Sequence, residues 1–105
     1  EKIPDGVFDG VISCDVMEHI PEPHVGEILR DLMVRARSFL FVSIATMPAS
    51  KTLPDGRNAH LTVKPEGWWR AQIEAARIAV GADTLKIETA IYNAPVAPPE
   101  EEDDE

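Results

Sequence analysis

Residues 7–21 read VFDGVISCDVMEHIP, an apolar stretch that abruptly becomes polar. Val7 to Ser13 is short and rich in β-branched side chains, which predicts a buried strand of a parallel sheet. Asp15, Glu18 and His19 follow it directly. Ligands of an open α/β sheet bind just beyond the carboxyl ends of its strands, and charged groups buried there need partners. We therefore expect the functional site at this position.

A helix and a second strand follow. Pro23 suits the first turn of a helix, and apolar residues from His24 to Arg37 recur at helical spacing opposite a charged face. Ser38 to Ala45 is almost entirely apolar, as expected of a parallel strand covered on both faces. Strand, helix and strand in this order predict a right-handed βαβ unit and hence an α/β fold.

The rest of the chain predicts a long loop, a helix and a last strand. Met47 to Lys64 has no periodicity, and loops of this length are usually functional or mobile. Pro65 opens a second helix that runs to about Val80 and stops at Gly81. Leu85 to Tyr92 alternates between apolar and polar residues, which predicts a strand at or near the edge of the sheet.

Composition excludes several classes of protein. The chain has 105 residues and a formal charge of -9, of which Glu100 to Glu105 contribute six negative charges. We expect a domain over 1–94 and a disordered Pro-rich and acidic tail over 95–105, with docking on a basic partner as the alternative for the tail. No run suits a membrane span or a signal peptide, and no basic patch suits nucleic acid. The single Cys fits a reducing compartment, so we expect a cytoplasmic protein.

The polar stretch after the first strand also carries a family resemblance. FDxV at residues 8–11, followed by DVMEHIP at 15–21, resembles the fourth strand and following loop of class I S-adenosylmethionine-dependent methyltransferases. The later order of helix, apolar strand, long loop and helix is similar, as are NAHLT at 58–62 and the tryptophan pair beyond it. The resemblance covers Pro4 to Tyr92. It implies a partial Rossmann-like methyltransferase sheet, made of a βαβ unit, a helix and a final strand and truncated at its N-terminal side.

The resemblance also implies roles for single residues. In the family, residues at the end of the fourth strand lie beside the methionine part of the cofactor, and Cys14, Asp15 and Val16 match them. The protein mainly positions the reactants, sometimes with a base that deprotonates the acceptor. His19 is the candidate base. The acceptor, a small molecule or a nucleic-acid hydroxyl, is not revealed by the sequence.

A metal centre is a sharper variant of the same resemblance. Some members that methylate oxygen, including ubiquinone-pathway enzymes and small-RNA 2′-hydroxyl methyltransferases, bind a divalent metal through an acidic-x-x-Glu-His arrangement, which a later His joins in the RNA enzymes. Asp15, Glu18, His19 and His60 match this pattern, with Asp where Glu is usual at the first position. Such ligands would hold Mg²⁺ or Mn²⁺, which polarises an acceptor hydroxyl. In members without a metal, the same Glu and His pair with backbone groups or with each other, so both interpretations stay open.

Four other side chains have a plain structural interpretation. We expect Cys14 to be a small buried residue rather than a nucleophile. His24, at a helix start, is expected to be exposed. Trp68 and Trp69 are expected to supply one core anchor and one surface or loop contact.

Other parts of the family pattern are missing. A complete member opens with a strand, a Gly-rich turn and a helix, and no Gly-x-Gly turn after a strand occurs among the six glycines of this chain. We therefore expect the chain alone to bind S-adenosylmethionine weakly or not at all. Because it starts at Glu1 without Met, we expect a missing N-terminal half in a longer parent or a partner chain. Homo-oligomerisation through an exposed sheet edge is the alternative.

These observations leave three hypotheses about function. The first is the C-terminal part of a methyltransferase, active once an upstream half completes it. The second is a degenerate methyltransferase-like binding or oligomerisation module without catalysis. The third is a metal-dependent enzyme built on the same acidic and histidine ligands but unrelated to methyl transfer.

Overall fold

Three parallel strands form the sheet of this protein. The computed structural model describes residues 6–93, and its strands are β1 (Phe8–Cys14), β2 (Ala36–Ala45) and β3 (Lys86–Tyr92). β2 lies in the centre and pairs in parallel with both neighbours. The α/β class and the edge position of the last strand are thereby confirmed. The tail expected over 95–105 lies outside the described residues.

The first connection is an amphipathic helix, α1 (Glu22–Arg35), with Pro23 in its first turn as expected. The helix ends at Arg35, earlier than predicted, because Ala36 already has extended backbone and begins β2. His24 is exposed, as expected. The buried residues of the helix share one face: Val25, Leu29, Leu32 and Met33.

The second connection ends in a longer helix, α2 (Glu66–Val80). It stops where Gly81 adopts the left-handed conformation, with φ 70°, which confirms the predicted end. Trp69 is fully buried and Trp68 half-buried, and their rings meet edge to face. One core anchor and one surface contact were expected, and this is confirmed. Within the described part of the chain, neither helix is long and apolar enough to cross a membrane.

Both helices cover the same face of the sheet. Leu40, Val42 and Ile44 of β2 are fully buried in the core that they form with α1 and α2. On the other face, the side chains of Ile12 and Phe39 are 66% and 40% exposed. Two successive right-handed crossovers that proceed in one direction across a sheet place their helices on the same side. The described residues therefore form two layers.

This arrangement corrects three expectations. β1 is not a buried strand, since Phe8 and Ile12 are exposed, and β2 is buried on both faces only from Val42 to Ala45, since Phe39 is exposed. Cys14 is exposed rather than buried. The physical reason is the same in each case: burial of a strand on both faces needs a covering layer on each side, and residues 6–93 supply helices on one side only.

A close approach on the open face explains one glycine. Gly10 lies opposite Phe39 in the register of the sheet. A Cβ added to Gly10 would overlap the Phe39 ring. Glycine at this position leaves room for the far end of the ring next to the backbone of β1.

Candidate metal centre

A sharp turn after β1 carries the first candidate ligands. Asp15 has φ 56°, in the left-handed region that non-glycine residues rarely adopt. Its N–H donates to the carbonyl of Ser43 at 3.0 Å. The 3-10 helix Met17–His19 follows, and Glu18 points into the protein with 1% of its surface exposed. The turn ends the strand and directs a carboxylate inward.

The loop between β2 and α2 carries the third candidate ligand, His60, and two polar side chains hold it in place. The side-chain oxygen of Asn58 accepts from the N–H groups of Ala49, at 2.8 Å, and His60, at 2.9 Å. Thr62 is buried; its hydroxyl donates to the carbonyl of Ile20 at 2.6 Å, and its N–H donates to the carbonyl of Glu18 at 3.1 Å. These contacts fasten the loop to the turn after β1, so the two segments meet at the carboxyl end of the sheet.

The two histidines of this site are oriented by backbone carbonyls. Nδ1 of His19 lies 2.9 Å from the carbonyl oxygen of Ala59, and Nδ1 of His60 lies 2.6 Å from that of Met47. A carbonyl only accepts, so each Nδ1 carries a proton and donates it. In the neutral rings the lone pair is therefore on Nε2. Metal-binding histidines are commonly oriented in this way.

Glu18 faces the two imidazoles without a hydrogen bond of its own at Oε1. That atom is buried and has no partner among the described residues. Oε2 lies 3.9 Å from Nε2 of His60, beyond hydrogen-bond distance. One ligand atom from each of Glu18, His19 and His60 lies within 4.8 Å of the others. A buried carboxylate with so little compensation is costly unless a cation joins it.

Asp15, the fourth ligand suggested by the sequence, is engaged elsewhere. The cluster that could hold a metal ion within residues 6–93 consists of Glu18, His19 and His60. Oδ1 of Asp15 accepts from the hydroxyls of Ser43, at 3.1 Å, and Tyr92, at 2.8 Å.

The contact with Asp15 changes the acidity of Tyr92. The hydrogen bond to the carboxylate, together with burial and the negative charge of Asp15, raises the pKa of Tyr92 to about 12. The phenol therefore remains a donor throughout the physiological range. A tyrosine at the end of the last strand was not singled out from the sequence, and neither was Ser43 inside an apolar strand. An isolated hydroxyl in an otherwise apolar strand was the available signal.

The residues proposed to touch the cofactor lie at the predicted place. Cys14 ends β1, and Asp15 and Val16 follow it at the carboxyl end of the sheet. All three are exposed, so their side chains are accessible to a ligand. Contact with a cofactor stays a prediction.

Comparison of the chain with protein-family models, with curated proteins and with solved structures found no match.

Proposed function

We propose that this chain is the C-terminal part of an S-adenosylmethionine-dependent methyltransferase whose acceptor site contains a divalent metal. The observation that carries the proposal is the convergence of the buried Glu18 with the imidazoles of His19 and His60, whose ligand atoms lie within 4.8 Å of one another. The family resemblance of the DVMEHIP stretch adds the reaction. The parallel α/β sheet, with the site at its carboxyl end, is compatible with a Rossmann-like class.

The donor set fits a divalent transition metal. Two imidazole nitrogens and one carboxylate leave coordination positions open for water and for an acceptor oxygen, as in catalytic sites with three protein ligands. Mg²⁺ prefers oxygen ligands, so of the two metals expected from the sequence Mn²⁺ suits this set better. A cation bound there would polarise an acceptor hydroxyl and favour its ionised form.

Within this proposal the residues of the chain have different roles. Glu18, His19 and His60 hold the ion and thereby orient the acceptor oxygen. If the metal is absent, the unprotonated Nε2 of His19 is the candidate base for the acceptor proton. Cys14, Asp15 and Val16 would border the methionine part of S-adenosylmethionine. The acceptor oxygen, having lost its proton, would attack the methyl carbon as the carbon–sulfur bond breaks and S-adenosylhomocysteine leaves. An upstream half would bind the rest of that cofactor.

A specific observation favours a second candidate, a binding or oligomerisation module without catalysis. The open face of the sheet exposes the apolar side chains Ile12 and Phe39, and β1 lies at the edge of the described sheet. Apolar surface of this kind commonly marks an interface. Light scattering measures self-association, and an activity assay measures catalysis. A chain that self-associates but has no catalytic activity favours the module, whether or not a metal binds.

Metal binding is the first test of the proposal. Titration of the metal-free chain with Mn²⁺, followed by electron paramagnetic resonance of the free ion, should show a site that H60A weakens at least about tenfold. H24A is the matched control, because His24 is an exposed histidine outside the cluster. Absence of Mn²⁺ binding by the wild type would overturn the metal centre.

The methyltransferase assignment needs a separate measurement. Calorimetric titration with S-adenosylhomocysteine should be done on the chain alone and on the chain extended by any residues that its gene encodes before Glu1. Binding in either form supports the assignment. Lack of heat in both, with Mn²⁺ still bound, would favour a metal-dependent enzyme unrelated to methyl transfer.

A further inference from the structure

A side chain at the carboxyl end of the opposite edge strand is connected to the turn that carries two of the three proposed ligands. The hydroxyl of Tyr92, at the end of β3, donates to Oδ1 of Asp15 at 2.8 Å. Asp15 opens the turn after β1, and Glu18 and His19 follow it within four residues. A contact from the last strand is therefore made to the turn that carries two of the proposed ligands.

The conformation of Asp15 requires such support. Left-handed backbone at a non-glycine residue is strained and persists only where surrounding contacts hold it. Ser43 supplies some of these contacts, since its hydroxyl donates to Oδ1 and its carbonyl accepts from the N–H of Asp15. Tyr92 adds a donor from a third strand. The carboxylate thus links the ends of β1, β2 and β3.

We propose that Tyr92 is a positioning residue for the metal centre: its hydroxyl holds the Asp15 carboxylate and thereby fixes the turn that presents Glu18 and His19. The inference rests on the proposed metal site and adds a residue to it. Tyr92 does not itself belong to the cluster of possible ligands. Its effect is therefore indirect and should appear as a change in metal affinity.

The test compares Mn²⁺ affinities of variants of the full chain by electron paramagnetic resonance. Y92F removes the hydroxyl and keeps the ring, and it should weaken Mn²⁺ binding about tenfold, the lower end of the effect of outer-shell partners. T46V is the matched control, because the hydroxyl of Thr46 donates to the backbone carbonyl of Tyr92 at 2.9 Å and not to Asp15. T46V should bind Mn²⁺ as the wild type does.

A double-mutant comparison establishes the route. If Tyr92 acts through Asp15, Y92F should have no further effect on Mn²⁺ affinity in a D15A background. An unchanged affinity of Y92F in an otherwise wild-type chain that binds Mn²⁺ overturns this inference alone. An equal loss in the D15A background also overturns it. Failure of the wild type to bind Mn²⁺ overturns the inference together with the metal site.

Discussion

Oε2 of Glu18 lies 3.9 Å from Nε2 of His60, although the two residues belong to different connections of the fold. The carboxylate is 99% removed from solvent, and the imidazole proton is held on the opposite nitrogen by a backbone carbonyl. The pair therefore presents an acceptor to an acceptor while His60 is neutral. A cation between them would relieve the mismatch.

Neutralising Glu18 should separate metal binding from stability. E18Q removes a buried and poorly compensated charge, so the metal-free variant should be more stable than the metal-free wild type by about 1 kcal/mol, or about 4–8 °C in melting temperature. If Mn²⁺ binds at the proposed site it should stabilise the wild type, and the same change should abolish that stabilisation. Thermal melts with and without Mn²⁺ measure both effects.

The control for that experiment is E27Q, because Glu27 is an exposed glutamate of α1 whose contact with His24 is a surface pair. It should melt as the wild type does in both conditions. A metal-free E18Q protein that is less stable than the wild type would show that Glu18 is already satisfied in the fold.

The ionisation of Tyr92 can be read without ambiguity, because the chain contains a single tyrosine. Its folded-state pKa of about 12 lies above the ordinary 10.0, so the contact with Asp15 stabilises the fold fully below pH 10 and is lost as the pH rises through about 12. Tyrosinate absorbance should show a midpoint near 12. D15N should move the midpoint towards 10.0, whereas a wild-type midpoint already at 10.0 contradicts the contact.

The one-sided burial of the sheet predicts unequal costs for two similar truncations. Ile44 is fully buried and Ile12 is 66% exposed. In the monomer, I44A should lower the free energy of unfolding by about 2–5 kcal/mol, and I12A by no more than about 0.5 kcal/mol. Urea denaturation at low protein concentration measures both. A large cost of I12A that grows with protein concentration would instead show that a second copy covers this face.

The close approach at Gly10 predicts a coupled pair of substitutions. G10A places a methyl group against the Phe39 ring and should destabilise the protein by about 1–3 kcal/mol. F39A removes the ring, so G10A should cost much less in that background. Unfolding measurements on the wild type, the two single variants and the double variant give the coupling. Additive effects would mean that the ring does not limit this position.

Much of the local structure was predictable from the chain alone. The helical period from His24 onwards, the Pro65 start and the Gly81 stop each reflect neighbouring residues, and the structure confirms the elements they define. The alternation from Leu85 to Tyr92 likewise predicted a strand at the edge of the sheet, which the structure shows as β3. Patterns of this kind are readable because the periods of helices and strands are properties of the backbone.

The residue types of the candidate ligands could also be predicted from the sequence, but which of them lie together could not. Glu18, His19 and His60 were candidate ligands together with Asp15, beside the alternative of a metal-free pairing, and the structure brings together the first three. Asp15 bonds to hydroxyls of β2 and β3 instead, which no spacing along the chain could indicate.

The sequence by itself determined the order of the elements, their boundaries to within a few residues, and the chemical groups available at the carboxyl end of the sheet. Only the tertiary structure decided which face of the sheet the helices cover, which nitrogen of His19 and of His60 is hydrogen-bonded to a backbone carbonyl, and that Tyr92 reaches Asp15. The reason is one of range. Secondary structure follows from neighbours a few residues apart, whereas convergence of side chains depends on crossovers that bring distant segments to one edge.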